Sequence, residues 1–152
     1  MITREQLAEG IIFAGERAVA AGHYCKDWAH QLGHQWTTGD AFRHIAVTAG
    51  GAKGLYPLLE AGVLSGVPSS RAAESNAKGI ARMQDASKDE VLQAIREGQG
   101  ASAEFVATLD PEDLAKVVTL GGYEMPKAEI VAQIWIHHAI AHAYEASARW
   151  PL

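Results

Sequence analysis

His138 and His142 stand four residues apart in IWIHHAIAHAYEA, and His44 stands far upstream in WTTGDAFRHIAV. Residues four apart on a helix lie one above the other on a single face. Neutral imidazole is also the commonest metal ligand a side chain offers. Such a pair, joined by a third imidazole from a facing helix, makes a facial three-histidine set with open coordination positions. That is the arrangement of a catalytic metal site rather than a purely structural one. The spacing therefore raises the expectation of a helical metal-binding protein with the makings of an enzyme.

On a helical wheel His138 and His142 share one third of the circle with Val131, Ile134, Trp135 and Glu145, so the two rings continue an apolar stripe. A buried polar ring without a partner costs on the order of 1–3 kcal/mol, and one shared ion satisfies both lone pairs. His137 points about 100° away and makes a poor third ligand from the same helix. A plainer reading stands beside this one. The chain holds seven histidines, and His30 and His34 form a second pair at the same spacing. His44 shares its face with Val47, Thr48, Gly51 and Leu55, where a single histidine is more often a hydrogen-bonded core residue than a ligand. Spacing alone leaves both readings open. Glu145 suits either a ring-orienting or proton-moving carboxylate or a solvated one. Cys25 has neither a partner cysteine nor a clear helix N-terminus to activate it, and reads as an inert thiol. Trp28, Trp36, Trp135 and Trp150 read as core or interface residues.

These side chains need helices to position them. Thr3 and Gln6 have the spacing of a capping box, and Leu7, Ile11, Ala14 and Val19 recur with a helical period, predicting a helix over about Thr3 to Ala21 that ends at Gly22. HYCKDWAHQLGHQW has no clean period and reads as a loop. Thr37 and Asp40 repeat the capping signature and open a helix through His44 toward Leu59 and Ala61, weakened by Gly50, Gly51 and Gly54 and kinked at Pro57. LSGVPSSRAAESNAKG reads as a long connection and a candidate pocket rim, as does HYCKDWAHQLGH. Ser87 and Glu90 cap a helix through Leu92, Ile95, Phe105 and Val106, with Gly98 and Gly100 as weak points. Asp110 caps a short segment containing Leu114 and Val117. VVTLGGYEM suggests an extended excursion around Gly121 and Gly122. Pro126 suits the first turn of a last helix running to about Trp150 and stopped by Pro151. Four main helices and little strand predict an all-α four-helix bundle, formed as one domain over 1–152.

Composition narrows the function classes. Hydrophobic residues make up 48% and charged residues 20% of 152, an ordinary globular mixture long enough for a real core. The net charge of −5 comes without any basic cluster, which argues against nucleic acid as a partner. One cysteine excludes an internal disulfide and suits a reducing cytoplasm. MITREQLAEG has no apolar core of a secretory signal, and no apolar stretch is long enough to span a bilayer, so a cytoplasmic protein without membrane partners is expected.

WTTGDAFRHIA, with its Trp and polar cap before the first histidine, and HAIAHAYEA, with its H-x-x-x-H, together resemble the DinB-like (DinB/YfiT-like) superfamily of four-helix-bundle metalloproteins. SKDEVLQAIREG, ATLDPEDLAKVV and GGYEMPKAEIVAQI are similar to the family's middle section, so the resemblance covers nearly the whole chain. Many members read H-x-x-H-H followed by Gly-Gln, whereas here Ala141 precedes His142 and Ala143, Tyr144 and Glu145 follow. The resemblance implies that His44, His138 and His142 ligate a divalent transition metal, zinc or nickel, in a bundle that is often dimeric. It also implies a metal-dependent enzyme, such as an S-transferase joining a low-molecular-weight thiol to a small electrophile. Two alternatives stay open: a metal-dependent hydrolase of small molecules, and a non-catalytic, stress-related metal-binding module. The enzyme readings imply a small-molecule substrate. Ile136 and Ile140, on the side of the last helix away from the pair, must be buried in the bundle or at a subunit contact, and we expect a homodimer.

Overall fold

The computed structural model describes residues 2–33, 36–62 and 69–148. Helix α1 spans Arg4–Tyr24, α2 Thr38–Ala49 and α3 Ala52–Leu55, the last followed by a 3₁₀ turn at Tyr56–Leu58. Helix α4 spans Ser69–Ala81, α5 Lys88–Ala107 and α6 Pro111–Leu114. Strands β1 (Val117–Leu120) and β2 (Tyr123–Pro126) form an antiparallel hairpin. The chain ends its described course in α7 (Lys127–Ala132), a π-helical turn (Gln133–His137) and α8 (His138–Ala148). Around the bundle α1 packs on α5, α5 on α2, α2 on α8 and α8 on α1, closing a four-membered ring. The molecule is an all-α four-helix bundle, with α4 laid against α2.

Local sequence chemistry starts these helices where the capping signatures put them. Thr3, Thr37 and Ser87 each accept from the backbone N–H three residues on, while Gln6, Asp40 and Glu90 accept from the cap's own N–H. Each such box is worth about 1 kcal/mol, because it satisfies donors the helix leaves orphaned. Asp110 caps α6 through the Glu112 N–H. Gly121 and Gly122, at φ of 60° and 85°, make the tight turn of the hairpin, a backbone region open to glycine at no steric cost.

Several boundaries fall elsewhere. Gly22 does not end α1; it is buried inside it, where a side chain would collide with Leu92. The helix expected from Thr37 to Ala61 breaks at Gly50 and Gly51, and Pro57 sits in the 3₁₀ turn rather than at a kink. Val117 opens β1 instead of extending α6. The expected long connection contains α4, a mostly exposed helix. The last helix carries a π turn in its middle. His34, Trp150 and Pro151 lie outside the described residues.

Two apolar clusters fill the bundle. One joins Ala14, Ala18, Phe42, Ile45, Leu92, Ile95, Ala139 and Ala143; the other joins Leu7, Ile11, Val106, Ile130, Val131 and Trp135. Ile136 and Ile140 pack against these clusters, so the bundle itself accounts for them. Gly10 leaves the space that Ile136 fills: a Cβ there would stand 2.6 Å from Ile136 Cδ1. In the second cluster the buried Lys127 ammonium reaches Glu60 Oε1 at 2.6 Å and both Asp113 oxygens at 3.1 Å. The Tyr56 hydroxyl donates to Asp113 at 2.8 Å, so this buried charge is paired and ties α6 and the start of α7 to the 3₁₀ turn.

The two glycines of α5 read alike in sequence and differ in space. A Cβ on Gly98 would meet Ala49 Cβ at 2.7 Å and Gly50 N at 2.8 Å, whereas Gly100 faces nothing within 4 Å. Gly98→Ala is expected to destabilise by about 1–3 kcal/mol through overpacking. Gly100→Ala is expected to stabilise by about 0.5–1 kcal/mol by restricting the unfolded chain. Urea denaturation of the two variants checks the contrast.

Candidate metal centre

His44 lies in the middle of α2 because the Thr37 box fixes where that helix begins, two turns earlier. His138 and His142 occupy the first turns of α8, which α2 flanks in the ring. Across that seam His44 Nε2 and His138 Nε2 are 2.8 Å apart, so one ring donates its N–H to the bare nitrogen of the other. One ring nitrogen from each of His44, His138 and His142 lies within 4.8 Å of the other two. The three rings meet edge to face, with centroids 4.6 to 4.9 Å apart. His44 is buried; His138 and His142 are half-buried.

Burial decides the protonation of the set. Loss of hydration pushes His44 down to about 3, and the neighbouring His138 and His142 push the same way. It lowers His138 to about 4, with His142 adding to the effect. His142 is lowered too, and the charge of Glu145 opposes that shift. At neutral pH the three rings are uncharged, the form that offers lone pairs to a cation. His142 Nδ1 is buried without a hydrogen bond; Glu145 Oε2 stands 3.5 Å from it, too long for one.

The donor set fits a transition metal. Nitrogens bound about 2.0–2.1 Å from one ion lie within roughly 4 Å of each other, so small ring rotations close the triad. Imidazoles alone suit zinc, nickel or copper better than magnesium or calcium, which take oxygen. Among the described residues no carboxylate or thiol joins the cluster.

A family model of the DinB superfamily matches residues 26–146. The chain belongs to the DinB superfamily. Neither the curated proteins nor the solved structures compared with it include a match. The stretch matched contains α2, α8 as far as Ala146, and all three histidines of the cluster.

Other candidate residues sort themselves by place. His137 is exposed, with Nδ1 3.2 Å from Gln133 Oε1 on its own helix. His30 belongs to the loop before α2, where its carbonyl accepts from the Thr38 N–H, and it is not part of the cluster. Cys25 is buried, and desolvation pushes its thiol up, away from the reactive thiolate. Trp36 is the site residue that sequence reasoning passed over as ordinary core. Its ring sits 4.8 Å from that of His44 and 5.3 Å from that of His142, walling the triad. Its place just before the Thr37 cap was the available signal.

The lowered imidazole pKa values carry a sign. Each ring binds protons less readily folded than unfolded, where 6.5 is the ordinary value, so stability rises with pH over the interval between. The metal-free protein is expected to lose melting temperature as pH falls from about 6.5 toward 4, and His44→Ala to lessen that slope. Differential scanning fluorimetry against pH measures both. Elemental analysis of untagged protein should find close to one transition-metal ion per chain, lost in each of His44→Ala, His138→Ala and His142→Ala.

Proposed function

We propose that this DinB-superfamily protein is a metal-dependent enzyme that joins a low-molecular-weight thiol to a small electrophile. The observation that carries the reading is the convergence of three neutral imidazoles on one point of a half-buried seam. His44, His138 and His142 would hold zinc or nickel. When bound, the ion supplies positive charge that lowers a thiol's pKa and favours the thiolate at neutral pH.

The chain's own residues prepare for that chemistry. His44 is buried, while His138 and His142 are half-buried, so the α8 side of the centre keeps contact with solvent. Trp36 covers two of the rings with an apolar face, excluding water from one flank and offering a surface to an organic substrate. Glu145 Oε2 stands 3.5 Å from His142 Nδ1, where its negative charge acts on the ring without a hydrogen bond. The reading includes a cytoplasmic setting, where such thiols are abundant, and, on the family resemblance alone, a homodimer, which light scattering would reveal as twice the 16.2 kDa chain mass.

Purified protein loaded with zinc or nickel should conjugate a chlorinated or epoxide electrophile with at least one of bacillithiol, mycothiol and glutathione. Chelation and each of the three histidine-to-alanine substitutions should cut the rate by at least tenfold. Metal-dependent turnover of esters or amides with no thiol activity would replace this reading with hydrolysis, and no metal-dependent turnover of either kind would end the enzymatic one.

A further inference from the structure

The last helix holds an irregularity immediately before its first histidine of the centre. Over Gln133–His137 the backbone winds as a π turn, with the His138 N–H bonding back five residues to the Gln133 carbonyl. Such turns insert one residue into an α-helix and recur at functional sites. Their effect here can be read from burial. Val131, Trp135, Ala139 and Ala143 are all buried, and the chain packs on α1 through α7, the π turn and α8 alike. Twelve residues carry a regular helix about 120° past whole turns, so Val131 and Ala143 would not share a face without an extra residue between them. With the extra residue they do.

The same insertion moves the histidines. On a regular helix His138 and His142 would flank the direction of Val131 by about 20° on either side, pointing to the middle of the core. In the structure alanines take that place after the turn, and the two imidazoles stand half-buried at the side, facing His44 on α2. The turn is also held from two sides. The buried Gln99 carboxamide on α5 donates to the Trp135 carbonyl at 3.1 Å. The Trp135 indole N–H donates to the Thr48 carbonyl at 3.3 Å, and the Thr48 hydroxyl donates to the carbonyl of His44 itself. A chain of hydrogen bonds thus runs from α5 through the π turn to the backbone of the facing histidine. Gln99 Oε1 is buried without a partner, so an apolar residue would serve packing better. What the glutamine contributes is its donor.

We infer that the π turn, pinned by Gln99 and Trp135, is the device that swings His138 and His142 out of the core face and onto His44. Gln99 and Trp135 are therefore positioning residues of the centre. The assignment of a metal to the triad rests on the reading above; the placement of the rings does not, and the two can be tested apart.

Gln99→Met keeps the stem that packs against Gly15 and removes the donor. In the metal-free protein the His44–His138 pair should give a downfield imidazole N–H signal by NMR, present in the wild type and lost in Gln99→Met. Zinc affinity, measured by competition with a chromophoric chelator, should weaken at least tenfold, and the visible spectrum of the cobalt-substituted protein should change. Tyr56→Phe, a buried hydroxyl lost in the other cluster, should lower the melting temperature and leave all three readouts unchanged. Should Gln99→Met fail to fold, Trp135→Phe, which loses the indole N–H together with part of the buried ring, carries the same expectations. Wild-type signal, affinity and spectrum in a folded variant of either residue would overturn the inference. A wild type that binds no zinc, yet shows a pair signal dependent on Gln99, would sink the metal reading and leave the positioning role standing.

Discussion

Three uncharged imidazoles share a seam between α2 and α8, and that juxtaposition sets the terms for everything around it. Rings that have lost their water and stand against one another gain nothing from being protonated. They are held as neutral donors by geometry alone, before any ligand arrives. This is pre-organisation in the strict sense: the cost of gathering like polar groups is met by the folding of the bundle, so a cation finds them already assembled. The rest of the fold can be understood as what keeps α2 and α8 at the right distance and the right rotation. Helix α5, wedged against α1 and α2 through Gly15 and Gly98, fixes the spacing. The π turn fixes the rotation.

How far this was legible in the residues depends on the range of the interaction concerned. The caps at Thr3, Thr37 and Ser87 rest on bonds closed within three residues, and each begins its helix where the spacing places it. The pairing of His138 with His142 is local too. Bringing His44 to them is a long-range event, reached through family resemblance rather than periodicity, and the family match over residues 26–146 together with the gathered rings supports it. Helix α4 was missed because SSRAAESNAKG carries few apolar residues to betray a period; it lies largely exposed and is held at its C-terminal end, where Gly79 meets Val47 of α2 and Ile80 is buried. The π turn was missed for a different reason. A helical wheel assumes constant pitch, so a single inserted residue misplaces every side chain beyond it. The wheel set the histidines in the middle of the apolar stripe, and the structure sets them at its edge.

The two apolar clusters divide labour. The first backs the centre and gathers around Phe42, with alanines along α8 that let the helices approach closely. The second, holding Trp135 and the Lys127–Asp113–Glu60 network, anchors the hairpin and the start of α7. Trp135 belongs to the second cluster by packing, and its bond to the Thr48 carbonyl ties it to α2, whose Phe42 and Ile45 belong to the first.

The contact of Gly10 with Ile136 reaches further than packing. Ile136 lies within the π turn, so any side chain added at position 10 presses on the segment that aims His138 and His142. Bulk at these two positions is then under a shared limit, and evolution must trade it rather than add it. Across homologous chains a residue larger than glycine at the first site should travel with a smaller one at the second, a covariation linking the outer flank of α1 to the chemistry between α2 and α8.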